Sequence, residues 1–73
     1  MTDIEGPTLY WDSTYAIALA LRERYPNFNP ENVGLLELAE MVENLPGFSD
    51  EPELATERIL ADILMVWFEE LTN

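Results

Sequence analysis

The side chains with the most chemistry to offer are carboxylates: fifteen Asp and Glu stand against three arginines, Arg22, Arg24 and Arg58, for a net charge of −12. The densest group is Asp50, Glu51, Glu53 and Glu57. Carboxylate oxygens suit hard cations, and residues three or four apart on a helix share a face. These four are therefore the candidate metal ligands. The alternation of oxygen ligands that makes a tight calcium loop is missing, so the affinity expected is low. A second reading stays open beside this one, because acidic residues at the start of a helix complement its dipole with no ligand present.

Glu69 and Glu70 fall at the far end of the same expected helix, where negative charge is mildly unfavourable. Stability does not explain them, which points to a partner. Glu37, Glu40 and Glu43 fall on the outer arc of a preceding helix. The candidate partner-binding set is thus Glu37, Glu40, Glu43, Asp50, Glu51, Glu53, Glu57, Glu69 and Glu70.

Much chemistry is excluded. The chain has no cysteine and no histidine, so nucleophile–base pairs built on thiol or imidazole cannot form. Nor can the chain scaffold an iron–sulfur cluster, which is held by thiolates and sometimes imidazoles. Gly6, Gly34 and Gly47 are scattered singly and make no phosphate loop. Paired carboxylates can act as acid and base only where a desolvating cleft raises one pKa, and a domain this small has little room for one. A non-enzymatic protein is expected.

The elements that must position these groups are helices. Two runs rich in proline and turn formers, Tyr25 to Pro30 and Leu45 to Pro52, divide the chain into three helical segments. The first follows Asp12 or Ser13 as cap and runs to about Arg24, before Pro26 forbids continuation. Ile17, Ala18, Ala20 and Leu21 form its apolar face. Tyr15 and Leu19 lie on another face, and the N-terminal segment is expected to cover them with Ile4 or Leu9. Asn29 caps a short turn beginning at Pro30, which Gly34 interrupts.

The second helix buries Leu35, Leu38, Val42 and Leu45 and ends at Pro46. The third is expected to start near Asp50 or Glu51, with Asp50 and Glu53 as a capping box and Pro52 in the first turn. It runs to Leu71 as the central core helix, with Ile59, Leu60, Ile63, Leu64, Met65, Val66, Trp67 and Phe68 leaving little polar surface. A short extended stretch at Asn32 to Leu35 is expected beside the loop at Phe48. Trp11, Tyr25, Phe28, Phe48 and Trp67 read as core closures around the turns.

With 73 residues the chain makes one domain. A core of this size supplies roughly 3–5 kcal/mol, and no disulfide adds to it. The hydrophobic share of 48% argues for a folded globule despite the charge. Residues 1–8 lack the basic and apolar regions of a secretory signal, and the longest apolar run, Ile63 to Phe68, falls far short of the roughly 20 residues that span a bilayer. A cytoplasmic monomer without membrane contact is expected. Nucleic acid is an improbable partner, since phosphate binding draws on Lys and Arg; a basic protein surface or a cation would be attracted.

Taken in order, Leu9-x-Trp11, Ile17, Leu21, Tyr25-Pro26, Pro30, Val33, Leu45, Phe48, Asp50-x-Pro52, Glu57-x-Ile59-Leu60, Ile63-Leu64, Val66-Trp67 and Glu69-Glu70 resemble the IscX family of small acidic iron–sulfur assembly proteins. The resemblance runs from Leu9 to Glu70 without a gap. It leaves residues 1–8 as an extension and 9–73 as a single IscX-like domain. It implies a mainly helical, modified winged-helix fold of three main helices, with the loop around Phe48 in the place of a wing. It also implies an adaptor or regulator that binds the basic surface of a cysteine desulfurase, in competition with frataxin, and weakly holds ferrous iron. Asn27 and Asn29 stand where the family tends to carry acidic residues, and Ser49 interrupts the second acidic run. The alternative, from another class, is an acidic nucleic-acid mimic that blocks a basic DNA-binding protein.

Overall fold

The computed structural model describes residues 8–72. Within them lie three α-helices, α1 (Thr14–Arg24), α2 (Leu35–Glu43) and α3 (Glu57–Thr72). Two single 3-10 turns, Pro30–Asn32 and Pro52–Leu54, precede α2 and α3. There is no strand among the described residues, only one isolated parallel bridge pairing Leu9 with Phe48.

α3 is the central element and packs against α1, α2 and the Pro30–Asn32 turn, with α1 as its main neighbour. Its Leu60, Ile63 and Trp67 meet Ile17, Ala18 and Leu21 of α1 and Leu38, Ala39 and Val42 of α2 in one core that Leu9, Trp11, Val33 and Leu45 complete. The aromatic residues close this core, as expected. Phe28 stacks on Trp67 with ring centroids 5.7 Å apart and planes 11° from parallel, while Trp11 meets Phe48 edge-on at 4.8 Å. Trp67 is fully buried and its indole N–H has no hydrogen-bond partner among the described residues.

Local chemistry explains most boundaries. α1 stops because Pro26 follows, and the chain reverses in a turn closed by Phe28 N–H donating to Tyr25 C=O at 3.2 Å. Asn29 caps the first 3-10 turn, its Oδ1 accepting from Glu31 N–H at 3.0 Å. Leu45 to Phe48 forms a turn with Pro46 second and Gly47 third, closed by Phe48 N–H donating to Leu45 C=O at 3.1 Å. Gly47 has φ 89°, the left-handed value that the third residue of a type II turn requires.

Several expectations are corrected. α3 does not begin at Asp50 or Glu51 with a capping box. Pro52 opens a separate 3-10 turn, and α3 starts at Glu57, where Thr56 Oγ1 accepts from Ile59 N–H at 3.2 Å. A threonine hydroxyl one residue before a helix satisfies an orphan N–H as well as an Asp would, and the chain uses the later cap. α2 ends at Glu43, short of Pro46. The segment beside Phe48 is Leu9, not Asn32 to Leu35. Tyr15 is 59% exposed, so Leu9, which is buried against the loop at 47–49, leaves it open; Ile4 and the rest of residues 1–7 lie outside the described residues. Finally, α3 is not apolar-buried all round: Met65, Phe68 and Leu71 are exposed.

Candidate functional site

The acidic residues occupy three separate places. Glu37 and Glu40 are exposed on the outer side of α2, with Glu43 half-buried at its end. Glu51, Glu53 and Glu57 are exposed along the segment that leads into α3. Glu69 and Glu70 sit at the other end of α3, about 18 Å from Glu57 by helical rise. Glu57 and Glu69 thus lie at opposite ends of α3.

Two of the nine expected partner-binding residues are engaged within the chain. Glu70 is half-buried and takes Arg22 as its partner at 3.4 Å, an ion pair that ties α1 to the end of α3. With both side chains partly solvated, the pair contributes at most about 1 kcal/mol, but it offsets the unfavourable charge at that helix end. Glu69 remains exposed, without such a partner among the described residues.

Asp50 is the second. Its Oδ2 accepts the backbone N–H of Trp11 at 3.0 Å, and its Oδ1 accepts that of Glu51 at 2.8 Å. Beside it, the indole N–H of Trp11 donates to Glu51 C=O at 2.7 Å. Leu9 completes the seam, with its N–H donating to Gly47 C=O at 2.8 Å and its C=O accepting from Ser49 N–H at 2.9 Å. The segment Leu9 to Trp11 is thus laced to residues 47–51, and Asp50 is the side chain that anchors it.

This arrangement does not fit the expected metal site. Asp50, Glu51, Glu53 and Glu57 are spread over a bend, a 3-10 turn and the first residue of α3, rather than aligned on one helix. Among the described residues no three carboxylates come together as a group that could hold a metal ion. Both Asp50 oxygens already serve backbone donors. What the exposed glutamates can do is present negative charge to a basic surface, on α2 and on the segment 51–57.

No local pattern signals the Asp50 anchor or the Arg22–Glu70 pair, because both join segments far apart in the chain. A face lined by Pro30, Glu31, Ala61, Leu64, Met65 and Phe68 was also missed. Its signal was present: the second half of α3 carries too many apolar residues for one buried stripe.

The model of a family described as iron-sulphur cluster assembly matches residues 9–72 of this chain. A protein of Pseudomonas aeruginosa described as uncharacterized is 36% identical over 63 residues, which cover 86% of this chain and 96% of that protein.

Proposed function

Because the chain belongs to the iron-sulphur cluster assembly family, the IscX family, over residues 9–72, we propose that it is a small acidic adaptor or regulator of that process. Its partner is a cysteine desulfurase, bound through a basic surface in competition with frataxin. A role in iron-sulfur cluster assembly rests on the family; the desulfurase and the adaptor role are the proposal.

The observation that carries it is the exposed acid of Glu37 and Glu40 on α2 and of Glu51, Glu53 and Glu57 before and at the start of α3, on a chain of net charge −12. A surface of one sign steers an oppositely charged partner and raises its encounter rate. The chain has no thiol to accept sulfur and no imidazole, so its part in the process is binding rather than catalysis. Ferrous iron, in this reading, is cargo attracted weakly by the acidic field and not a resident cofactor. The protein works as a cytoplasmic monomer; among the described residues no helix is long and apolar enough to cross a membrane. The Gly47–Ser49 loop, held by Leu9, takes the place of a wing in a modified winged-helix arrangement.

A pull-down from native extract with the full chain as bait tests the proposal. Recovery of a cysteine desulfurase is expected. Recovery of nucleic-acid enzymes alone would favour the nucleic-acid mimic instead.

A further inference from the structure

One face of α3 is neither buried nor polar. Ala61, Leu64, Met65 and Phe68 follow helical spacing on a single stripe, and Leu71 extends it by a turn. Met65 is 55% and Phe68 39% exposed. Pro30 and Glu31, from the 3-10 turn before α2, form the opposite wall of a groove of about 310 Å³. Exposed apolar side chains are here gathered on one face rather than scattered singly, which offers a surface to a partner.

The lining excludes most occupants. Small polar ligands are oriented by several convergent polar groups, and Glu31 is the only charged or hydrogen-bonding side chain that lines the groove. An extended peptide adding to a sheet needs an open strand edge, and no strand exists among the described residues. The rim is acidic: Glu31 lines one wall, and Asp62 and Glu69 flank Met65 along α3. Arg58, one turn before Ala61, is the cation nearest along the helix. A second copy of the chain would bring another −12 against this rim, and anionic lipid or nucleic acid would be repelled in the same way.

We propose that this groove docks a basic amphipathic helix of a partner protein. Its large apolar side chains seat on Leu64, Met65 and Phe68, and its Lys or Arg side chains meet Glu31, Asp62 and Glu69. This is the helix-in-groove mode, in which apolar anchors at helical spacing give affinity and flanking charge gives orientation. The groove goes beyond the desulfurase reading and stands whether or not that enzyme is the partner.

The test uses the full chain, isotope-labelled, titrated with a synthetic Lys/Leu amphipathic helical peptide and with a Glu/Leu peptide of equal hydrophobicity. The basic peptide is expected to shift the resonances of Glu31, Ala61, Leu64, Met65 and Phe68, and the acidic one to shift none. Phe68→Ser and, separately, Met65→Gln should each weaken the basic peptide by about ten-fold. Both positions are exposed, so the melting temperature should hold; if one variant loses its fold, the other decides. Shifts confined to Glu37, Glu40 and residues 51–57, or insensitive to both variants, would overturn the proposal. So would an equal response to the acidic peptide, or concentration-dependent shifts in the groove without peptide, which would assign it to a second copy. Because the probe is not a desulfurase, failure of this proposal and failure of the desulfurase reading are distinguishable.

Discussion

The carboxylate of Asp50 accepts the backbone N–H of Trp11 at 3.0 Å, across 39 positions of chain. That bond makes one of the four candidate metal ligands a structural clasp. Its second oxygen accepts Glu51 N–H at 2.8 Å, so both oxygens are held by the backbone. Asp50→Ala is accordingly expected to lower stability by about 1–3 kcal/mol, the cost of leaving such a donor without its charged acceptor. Asp50→Asn keeps one carbonyl oxygen for Trp11 and should cost less. Urea denaturation of the two variants checks this; an unchanged midpoint in Asp50→Ala would mean that the segment Leu9 to Trp11 is held by Leu9 alone.

Trp67 lies fully buried in the core, and its indole N–H has no partner among the described residues. Trp67→Ala removes the partner of Phe28 and the largest fully buried side chain, and is expected to cost about 3–5 kcal/mol, enough to unfold most of a domain this small. Trp67→Phe leaves an aromatic ring for Phe28 and removes the orphaned N–H, whose burial costs about 1–3 kcal/mol. The loss should therefore be small beside that of Trp67→Ala. Melting temperatures of the two variants decide; equal losses would mean that the indole N–H is not a cost in the native protein.

Gly47 is the one described residue with positive φ, at 89°, and its carbonyl accepts the Leu9 N–H. Gly47→Ala forces a Cβ into the left-handed region and should destabilise by about 1–2 kcal/mol. Thermal unfolding reads this directly, and a neutral result would show that the loop can turn without its glycine.

The helices were legible in the sequence because their signals are local. Pro26, Asn29-Pro30 and the stripe Leu38, Val42 lie within a turn or two of what they determine, and the expected α1 and α2 agree with the observed ones to within a few residues. The start of α3 was misplaced because Asp50 and Glu53 imitate a capping box, while the carboxylate of Asp50 is spent on Trp11, a contact no local pattern encodes. The same holds for Glu70, whose partner Arg22 lies on another helix. Family membership was legible from the ordered anchors between Leu9 and Glu70. The exposed glutamates of α2 were placed correctly, since an outer arc follows from helical period alone. The groove at Met65 and Phe68 was not seen, because a run of apolar residues reads as core until a neighbour fails to cover it.

Affinity for the basic partner is expected to fall steeply with added salt. Separated surface charges are screened beyond about 8 Å at physiological ionic strength, and Glu37, Glu40, Glu51, Glu53 and Glu57 act at the surface. Binding measured across a salt series checks this; affinity independent of salt would rule out a charge-driven interface.

Ferrous iron, added anaerobically to the labelled protein, is expected to broaden resonances over the exposed glutamates of α2 and of residues 51–57 without saturating. No group of three or more carboxylates among the described residues converges to hold it. Saturable broadening centred on Asp50, Glu51, Glu53 and Glu57 would show that these carboxylates converge on the ion.

The most direct test of the adaptor reading is a calorimetric titration of purified cysteine desulfurase with the full chain at low salt, repeated with frataxin already bound. Binding to the enzyme alone is expected, with loss of that binding when frataxin occupies it and weakening by about ten-fold in the double variant Glu37→Lys, Glu40→Lys. No heat of binding with a desulfurase that still binds frataxin would contradict the adaptor reading.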